Sequence, residues 1–234
     1  MTSALSDQIE SRGYAVATGV VSATSISALL EALSNFDHAR SKRRGETFGI
    51  RGLLQLEEVR AVSQSRALRA VTDPIVGTDA RAVRGTFFDK TPEANWPVAW
   101  HQDLSLAVTE KREIDGWCGW SLKNGVHHVQ PPTAFLDRML TVRLHLDDCG
   151  VDNGPLKVRP GTHKMGRLAR EAIEATRDTV KEEVCCLKNG DALLIRPLLL
   201  HASSAAASPS HRRVIHLEYA PLNLLPDGLS WAFQ

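Results

Sequence analysis

The sequence predicts an α+β protein with a β-sandwich or barrel core flanked by N-terminal helices. Three observations carry this. Apolar residues at helical spacing are confined to the first third of the chain. From Ala82 onward the texture changes to short apolar runs punctuated by turn residues. One run alternates strictly: Leu140, Val142, Leu144 and Leu146 are apolar while Thr141, Arg143 and His145 are polar, the two-residue period of a strand.

The elements follow in order. Ser22-Ala23-Thr24-Ser25 offers hydroxyl caps ahead of Ile26, Leu29, Leu30 and Leu33, whose i, i+3, i+4, i+7 spacing predicts a helix. Residues 53–71 repeat that pattern as a second helix, expected to end before Pro74. Residues 82–89 read as a strand closed by Lys90-Thr91-Pro92, and residues 96–108 contain another extended run. Asn153-Gly154-Pro155 and Arg159-Pro160-Gly161 are turn chemistry around a short strand at 156–158. Residues 168–181 fit one exposed helix. Residues 183–187, 192–195 and 212–219 complete the strands, with Asn189-Gly190 as a tight turn between the first two. The Ala/Ser-rich stretch 202–210 reads as turn or loop.

The 234 residues suit a single domain with a mostly helical flank, 1–80, and a β core, 82–220. Apolar residues at 43% and charged residues at 24% are ordinary for a soluble protein. Lys and Arg number 28 against 27 Asp and Glu, so no whole-protein field points to nucleic acid or an anionic membrane. The basic run 39–44 is expected to be a solvated loop. Polar residues 1–10 lack a signal-peptide core and no apolar stretch is long enough to span a bilayer, so a cytoplasmic location is expected. Cys118, Cys149, Cys185 and Cys186 form no C-x-x-C pair, which argues against a zinc site or a disulfide framework; Cys185 and Cys186 should face opposite ways on a strand.

Polar residues on the inward face of a barrel strand imply a cavity with chemistry in it, because unpaired polar groups are costly to bury. Trp100-His101-Gln102-Asp103 places an imidazole and a carboxylate two apart, on one face of a strand. His201, after the apolar run Leu198-Leu199-Leu200, is the best second histidine. Two histidines and one carboxylate hold one face of an octahedral iron(II) and leave three positions for a bidentate oxoacid and O2. Ser203 and Arg212 follow His201 at +2 and +11. An arginine fork aimed into that cavity suits a dicarboxylate tail, and the serine hydroxyl adds a hydrogen bond.

These residues resemble the phytanoyl-CoA dioxygenase family of iron(II)/2-oxoglutarate oxygenases. The likeness runs through Phe87-Phe88-Asp89-Lys90-Thr91-Pro92, Trp96-Pro97-Val98-Ala99-Trp100-His101-Gln102-Asp103, Leu146-Asp147-Asp148 and Asp152-Asn153-Gly154-Pro155-Leu156. It continues through Pro160-Gly161-Thr162-His163-Lys164, Gly190-Asp191-Ala192-Leu193-Leu194, Pro197, His201, Ser203 and Arg212-Arg213, covering roughly residues 82–220. The resemblance implies a double-stranded β-helix (a jelly-roll or cupin-like barrel). It implies His101, Asp103 and His201 as iron ligands and catalytic centre, with 2-oxoglutarate and O2 as cosubstrates. It sets Arg212 on the far carboxylate of 2-oxoglutarate with Ser203 beside it, and Arg213 facing the other way. Arg143 lies where the family often places a cosubstrate contact; Thr86 and Phe88 share parity with Lys90 and are expected to line the same pocket. Family halogenases carry a small residue in place of Asp103, so a carboxylate there implies hydroxylation, with 2-oxoglutarate and O2 converted to succinate and CO2.

The substrate side is less determined. Residues 104–138 form a long connection expected to be a lid, in which Trp117 and Trp120 either wall the cavity or are core aromatics. His127-His128 reads as ordinary surface on an exposed loop. His145 is either an inward contact or a satisfied buried histidine. His163 is expected to be structural and His216 to support the site. Phe88, Lys90, Gln102, Trp117, Trp120 and His145 are the candidate substrate contacts. The absence of a basic run near the site for a CoA phosphate favours a small organic metabolite; the oligomeric state stays open. Desaturation, epoxidation or cyclisation with the same cofactors, a metal isomerase or hydrolase, and a non-catalytic cupin-like binding protein are the alternatives.

Overall fold

The computed structural model describes residues 2–36, 40–43 and 46–233. The first helices and strands are α1 (Thr2–Arg12), β1 (Tyr14–Ala17), α2 (Ala23–Asn35), β2 (Arg40–Arg43), β3 (Glu46–Arg51), α3 (Glu57–Ser63), α4 (Arg66–Val76) and β4 (Ala80–Lys90). Then come β5 (Val98–His101), β6 (Leu106–Val108), β7 (Cys118–Lys123), β8 (Val126–Gln130), α5 (Thr133–Leu136), β9 (Leu140–His145) and β10 (Leu156–Val158). The chain closes with α6 (Arg170–Thr179), β11 (Glu183–Cys185), β12 (Ala192–Ile195), β13 (His201–Ser203) and β14 (Arg212–Pro221).

The strands form a seven-stranded sheet in the order β1-β12-β9-β14-β4-β3-β2 and a four-stranded sheet in the order β11-β10-β13-β5. Tyr14, Leu193 and Ile195 of the large sheet meet Leu156, Val158 and Cys185 of the small one. The alternate residues of the large sheet, including Phe87, Val142, Leu144, Leu194, Ile215 and Leu217, pack outward onto Ile9, Ile26, Leu29, Leu33 and Leu68 of the helices. The large sheet is thus covered on both faces, and all six residues of β9 are buried. Its polar members Thr141, Arg143 and His145 turn to the interior, giving the expected double-stranded β-helix.

Ser22 caps α2 as expected, its hydroxyl accepting from the Ser25 amide. The helix expected over 53–71 is instead a 3-10 turn, Leu53–Gln55, followed by α3 and α4. The break comes from Ser65, whose hydroxyl accepts from the Leu68 amide and starts a new helix. Pro74 lies inside α4 and does not end it; Gly77, at φ +89°, does. Burial of Leu68, Thr72 and Val76 outweighs the ladder bond that proline removes. The basic run expected as a loop contains strand β2; Ala39, Arg44 and the side chains of the run lie outside the described residues. The Ala/Ser-rich stretch begins as strand β13, adjacent to β5, before it becomes a loop. Asn189-Gly190 turns the chain from β11 to β12, but these strands belong to different sheets and form no hairpin. Cys185 is buried and Cys186 exposed, and all four cysteines are free.

The segment 104–138, expected as a lid, has secondary structure of its own. It holds β6, the β7–β8 hairpin and α5, in a third sheet of order β6-β8-β7. Leu106, Val108, Trp117, Val129, Leu136, Met139 and Trp231 form its core. His127 and His128 lie on β8, and His128 is buried, which corrects their reading as an exposed loop pair. Trp117 is 8% exposed and stacks edge-on against Phe135 with centroids 5.1 Å apart. Trp117→Ala is expected to reduce stability by about 3–5 kcal/mol, the range for deleting a large core aromatic, while leaving iron(II) affinity unchanged. Denaturant unfolding and metal titration read the two effects; undiminished stability would return Trp117 to the substrate side. Among the described residues no helix is long and apolar enough to cross a membrane.

Candidate metal centre

β13 runs antiparallel to β5 and sets His201 directly opposite His101. The two rings lie 4.2 Å apart. Each Nδ1 sits against the carbonyl two residues back, 2.8 Å from Ala99 for His101 and 2.9 Å from Leu199 for His201. Donation of Nδ1–H to those carbonyls leaves both Nε2 lone pairs free. Asp103 follows β5, and its amide donates to the Pro197 carbonyl at 2.9 Å, tying it to the entry of β13. Its Oδ1 is 3.8 Å from His101 Nε2 and its Oδ2 3.6 Å from His201 Nε2. All three ligand atoms lie within 4.8 Å of one another.

The electrostatics keep Asp103 and His201 in their ligating forms. Burial pushes the Asp103 carboxyl up, but His201, His216 and His101 outweigh it and hold it down at about 2. Burial pushes His201 down to about 4 against the pull of Asp103. The site therefore presents the neutral imidazole of His201 and the carboxylate of Asp103 at neutral pH. Asp103 Oδ2 is buried with no hydrogen-bond partner, an orphan that a divalent cation satisfies. The donor set is that of a two-histidine, one-carboxylate iron site with open positions.

A second constellation lies on the inner face of the large sheet. Register pairs Arg212 with Lys90, Val214 with Phe88 and with His145, and His216 with Thr86 and with Arg143. Lys90 is fully buried, and its ammonium donates to Ser203 Oγ at 3.1 Å and to the Ser204 carbonyl at 2.6 Å. Arg212 Nη1 donates to the Gly154 carbonyl. Arg143 Nη1 donates to His216 Nδ1 at 3.1 Å. The Nε atoms of both arginines and both ring nitrogens of His145 are buried without partners. Burial and the charge of Arg212 push Lys90 down to about 7 and Arg143 to about 10. Burial, then Arg143, pushes His145 down to about 3. Among the described residues none of the three cations forms an ion pair with a carboxylate. Buried uncompensated charge is destabilising, so this pit fits a dianion such as 2-oxoglutarate.

The other expected residues are placed as follows. Arg213 faces away and grips Asp147, with Nε to Oδ2 at 2.9 Å and Nη2 to Oδ1 at 2.7 Å. His216 Nε2 lies 3.9 Å from Asp103 Oδ2. His163 is held against the Glu10 carbonyl at 3.2 Å. Thr86, Phe88, Gln102, Asp103 and His216 share a cavity of ≈ 210 Å³ with Arg84, Leu104, Ser105 and Glu218. Gln102 lines it, but its amide is spent on backbone: Nε2 donates to Gly166 and Leu198 carbonyls, both at 2.7 Å, and Oε1 accepts from the Leu168 amide at 2.9 Å. Trp117 and Trp120 are not brought to this cavity; they border a surface groove with Lys111, Glu113, Ile114 and Asp115. Arg84, Glu218 and Cys149, whose thiol neighbours Arg212, were missed from the sequence. Two-residue parity with Thr86 and with His216 marks Arg84 and Glu218; nothing local marks Cys149.

A sequence model described as "Phytanoyl-CoA dioxygenase (PhyH)" matches residues 9–214. Among solved structures, EctD from S. alaskensis with 2-oxoglutarate and 5-hydroxyectoine is 18% identical at TM-score 0.72, over 95% of this chain and 77% of that one. The epimerase SnoN from nogalamycin biosynthesis, in complex with Fe3+, alpha ketoglutarate and nogalamycin RO, is 16% identical at TM-score 0.70, over 94% and 83%. The alpha ketoglutarate dependent carbocyclase SnoK from the same biosynthesis is 16% identical at TM-score 0.69, over 95% and 85%. At such identities the likeness is one of fold. No curated protein is significantly similar in sequence.

Proposed function

The chain belongs to the phytanoyl-CoA dioxygenase family of iron(II)- and 2-oxoglutarate-dependent oxygenases, and from that premise we propose that it hydroxylates an unactivated C–H bond of a small organic metabolite. Succinate and CO2 are the coproducts. One observation carries this reading: the His101–Asp103–His201 cluster stands beside three buried cations that lack a carboxylate. Iron(II), when bound, supplies the oxidising chemistry, and the protein supplies orientation and a dry cavity.

The residues divide that work. His101, Asp103 and His201 hold the metal through Nε2, a carboxylate oxygen and Nε2. Arg212 takes the far carboxylate of 2-oxoglutarate, with Ser203, held by Lys90, at its side. Arg143 adds positive charge from β9, and His145 and Thr86 border the same space. Asp103 occupies a position that a small residue would leave open to halide, which favours hydroxylation over halogenation.

The deciding experiment is anaerobic. Iron(II) with 2-oxoglutarate is expected to give the weak visible band of a chelated oxoacid, and admitting O2 should discharge it with formation of succinate. Absence of both the band and titratable iron would overturn the reading in favour of a non-catalytic barrel. SnoN and SnoK are named for epimerisation and ring closure, so a second outcome of the same chemistry is carried as an alternative. Product mass separates hydroxylation, which adds an oxygen atom, from epimerisation and ring closure, which add none.

A further inference from the structure

Among the described residues three imidazoles approach the Asp103 carboxylate, not two. His216 on β14 lines the same ≈ 210 Å³ cavity as Asp103, and its Nε2 lies 3.9 Å from Oδ2. The corresponding separations are 3.8 Å for His101 and 3.6 Å for His201. By its distance to Asp103 alone, His216 would pass for a third histidine ligand. Its hydrogen bonds give it a different role.

The proton positions follow from the partner of each Nδ1. His101 and His201 set Nδ1 against the carbonyls of Ala99 and Leu199. A carbonyl only accepts, so Nδ1 carries a proton in both rings and Nε2 is left to the metal. His216 instead sets Nδ1 3.1 Å from Arg143 Nη1. A guanidinium only donates, so Nδ1 carries the lone pair and the proton sits on Nε2. A metal on His216 Nε2 would need the opposite tautomer, with Nδ1–H aimed at Arg143 and two buried donors left facing each other. The fold enforces the arrangement. Arg143 and His216 are direct partners in the β9–β14 register, both are buried, and Phe88 lies edge-on to the imidazole with centroids 6.0 Å apart.

Two carboxylate oxygens lie near this Nε2–H, Glu218 Oε1 at 3.7 Å and Asp103 Oδ2 at 3.9 Å. Glu218 Oε1 is already paired with Arg84 at 3.0 Å. Asp103 Oδ2 is buried with no partner, so it gains more from the bond. Both separations exceed hydrogen-bond length. Asp103 lies beyond the end of β5, and the torsion that turns a carboxylate is broad, so a turn of its carboxylate closes the gap.

We propose that Arg143 locks His216 with its proton on Nε2, and that this N–H holds the Asp103 carboxylate in place for the metal. His216 is then a positioning residue and not a third histidine ligand. This rests on the iron reading above.

The first test uses the unmodified chain with 15N-labelled histidine, loaded with zinc(II) as a diamagnetic stand-in for iron(II). Two-bond 1H–15N correlation reads the tautomer of each ring, with His216 assigned through its contact with Phe88. His216 is expected protonated on Nε2 alone, and His101 and His201 on Nδ1. The second test measures iron(II) affinity by anaerobic competition with a chelator. His216→Asn keeps an acceptor for Arg143 but places nothing at the Nε2 position, and should bind iron about 10–100-fold more weakly, the range for losing an outer partner of a metal ligand. His216→Gln, whose longer amide reaches that position, should recover most of the loss. In the Asp103→Ala background His216→Asn should cost nothing further, because the residue acts through Asp103. A proton on His216 Nδ1, unchanged affinity in His216→Asn, equal losses in the Asn and Gln variants, or a full further loss in the Asp103→Ala background would each overturn the proposal. The tautomer is read on the unmodified chain, so a variant that fails to fold does not shelter the idea. An unmodified chain that takes up neither zinc(II) nor iron(II) overturns the metal reading and this proposal together; metal uptake with the wrong tautomer condemns the proposal alone.

Discussion

Asp103→Ala is expected to abolish turnover and to weaken iron(II) binding by at least about a hundredfold, since losing even an outer-shell partner of a metal ligand costs 10–100-fold. The expectation follows from the charge at the site. Asp103 is the one carboxylate among the three ligands, so it is the one that offsets the charge of the cation. Its removal should not unfold the protein. Oδ2 is buried and bonded to nothing, so its removal breaks no hydrogen bond of the metal-free fold. Loss of binding with unchanged thermal stability is therefore the signature. His201 keeps its neutral form in the variant, because burial, with His101 and Arg143, pushes it down and the opposing pull of Asp103 is gone, and a weak two-histidine affinity should survive. Stoichiometric, tight iron in Asp103→Ala would mean that another carboxylate is the ligand.

The site was more legible than the segment around it, for physical reasons. A strand repeats every two residues, so parity carries Arg212 to His216 and Arg143 to His145 without any structure. The same rule would have found Arg84 and Glu218, had it been extended past the residues matched to the family. The third sheet escaped because its strands are short and interrupted. Gly116 and Gly119 take φ of +77° and +64°, and the β7–β8 register shifts between Cys118 and Ser121. Asn124-Gly125, with φ of +50° and +77°, was an unread hairpin signal between Lys123 and Val126. Trp117 could not be assigned to wall or core from sequence, because either role buries an indole; its contact with Phe135 decides for the core. Pro74 misled because a local rule about the lost amide was weighed without the buried face of α4.

Arg212→Met should raise the KM for 2-oxoglutarate roughly thirtyfold to a thousandfold, the equivalent of about 2–4 kcal/mol for removing one side of a buried, hydrogen-bonded charge pair. The kcat at saturating 2-oxoglutarate should fall much less, because the far carboxylate is bound alike in ground and transition states. The same substitution should leave the protein no less stable without 2-oxoglutarate. Arg212 is buried, its Nε has no partner, and its charge repels Lys90 and Arg143. Methionine of similar length relieves all three. The wild-type chain is expected to gain thermal stability on adding 2-oxoglutarate with iron, since the ligand binds only the folded state, and the variant to gain little. Arg213 provides the contrast from the next position. Its guanidinium holds Asp147 on the outer side of β14, so Arg213→Met should lower stability and leave the KM for 2-oxoglutarate where it was. If the two substitutions exchanged phenotypes, the inward face of β14 would be the one bearing Arg213, and the dianion pit would have to be placed elsewhere.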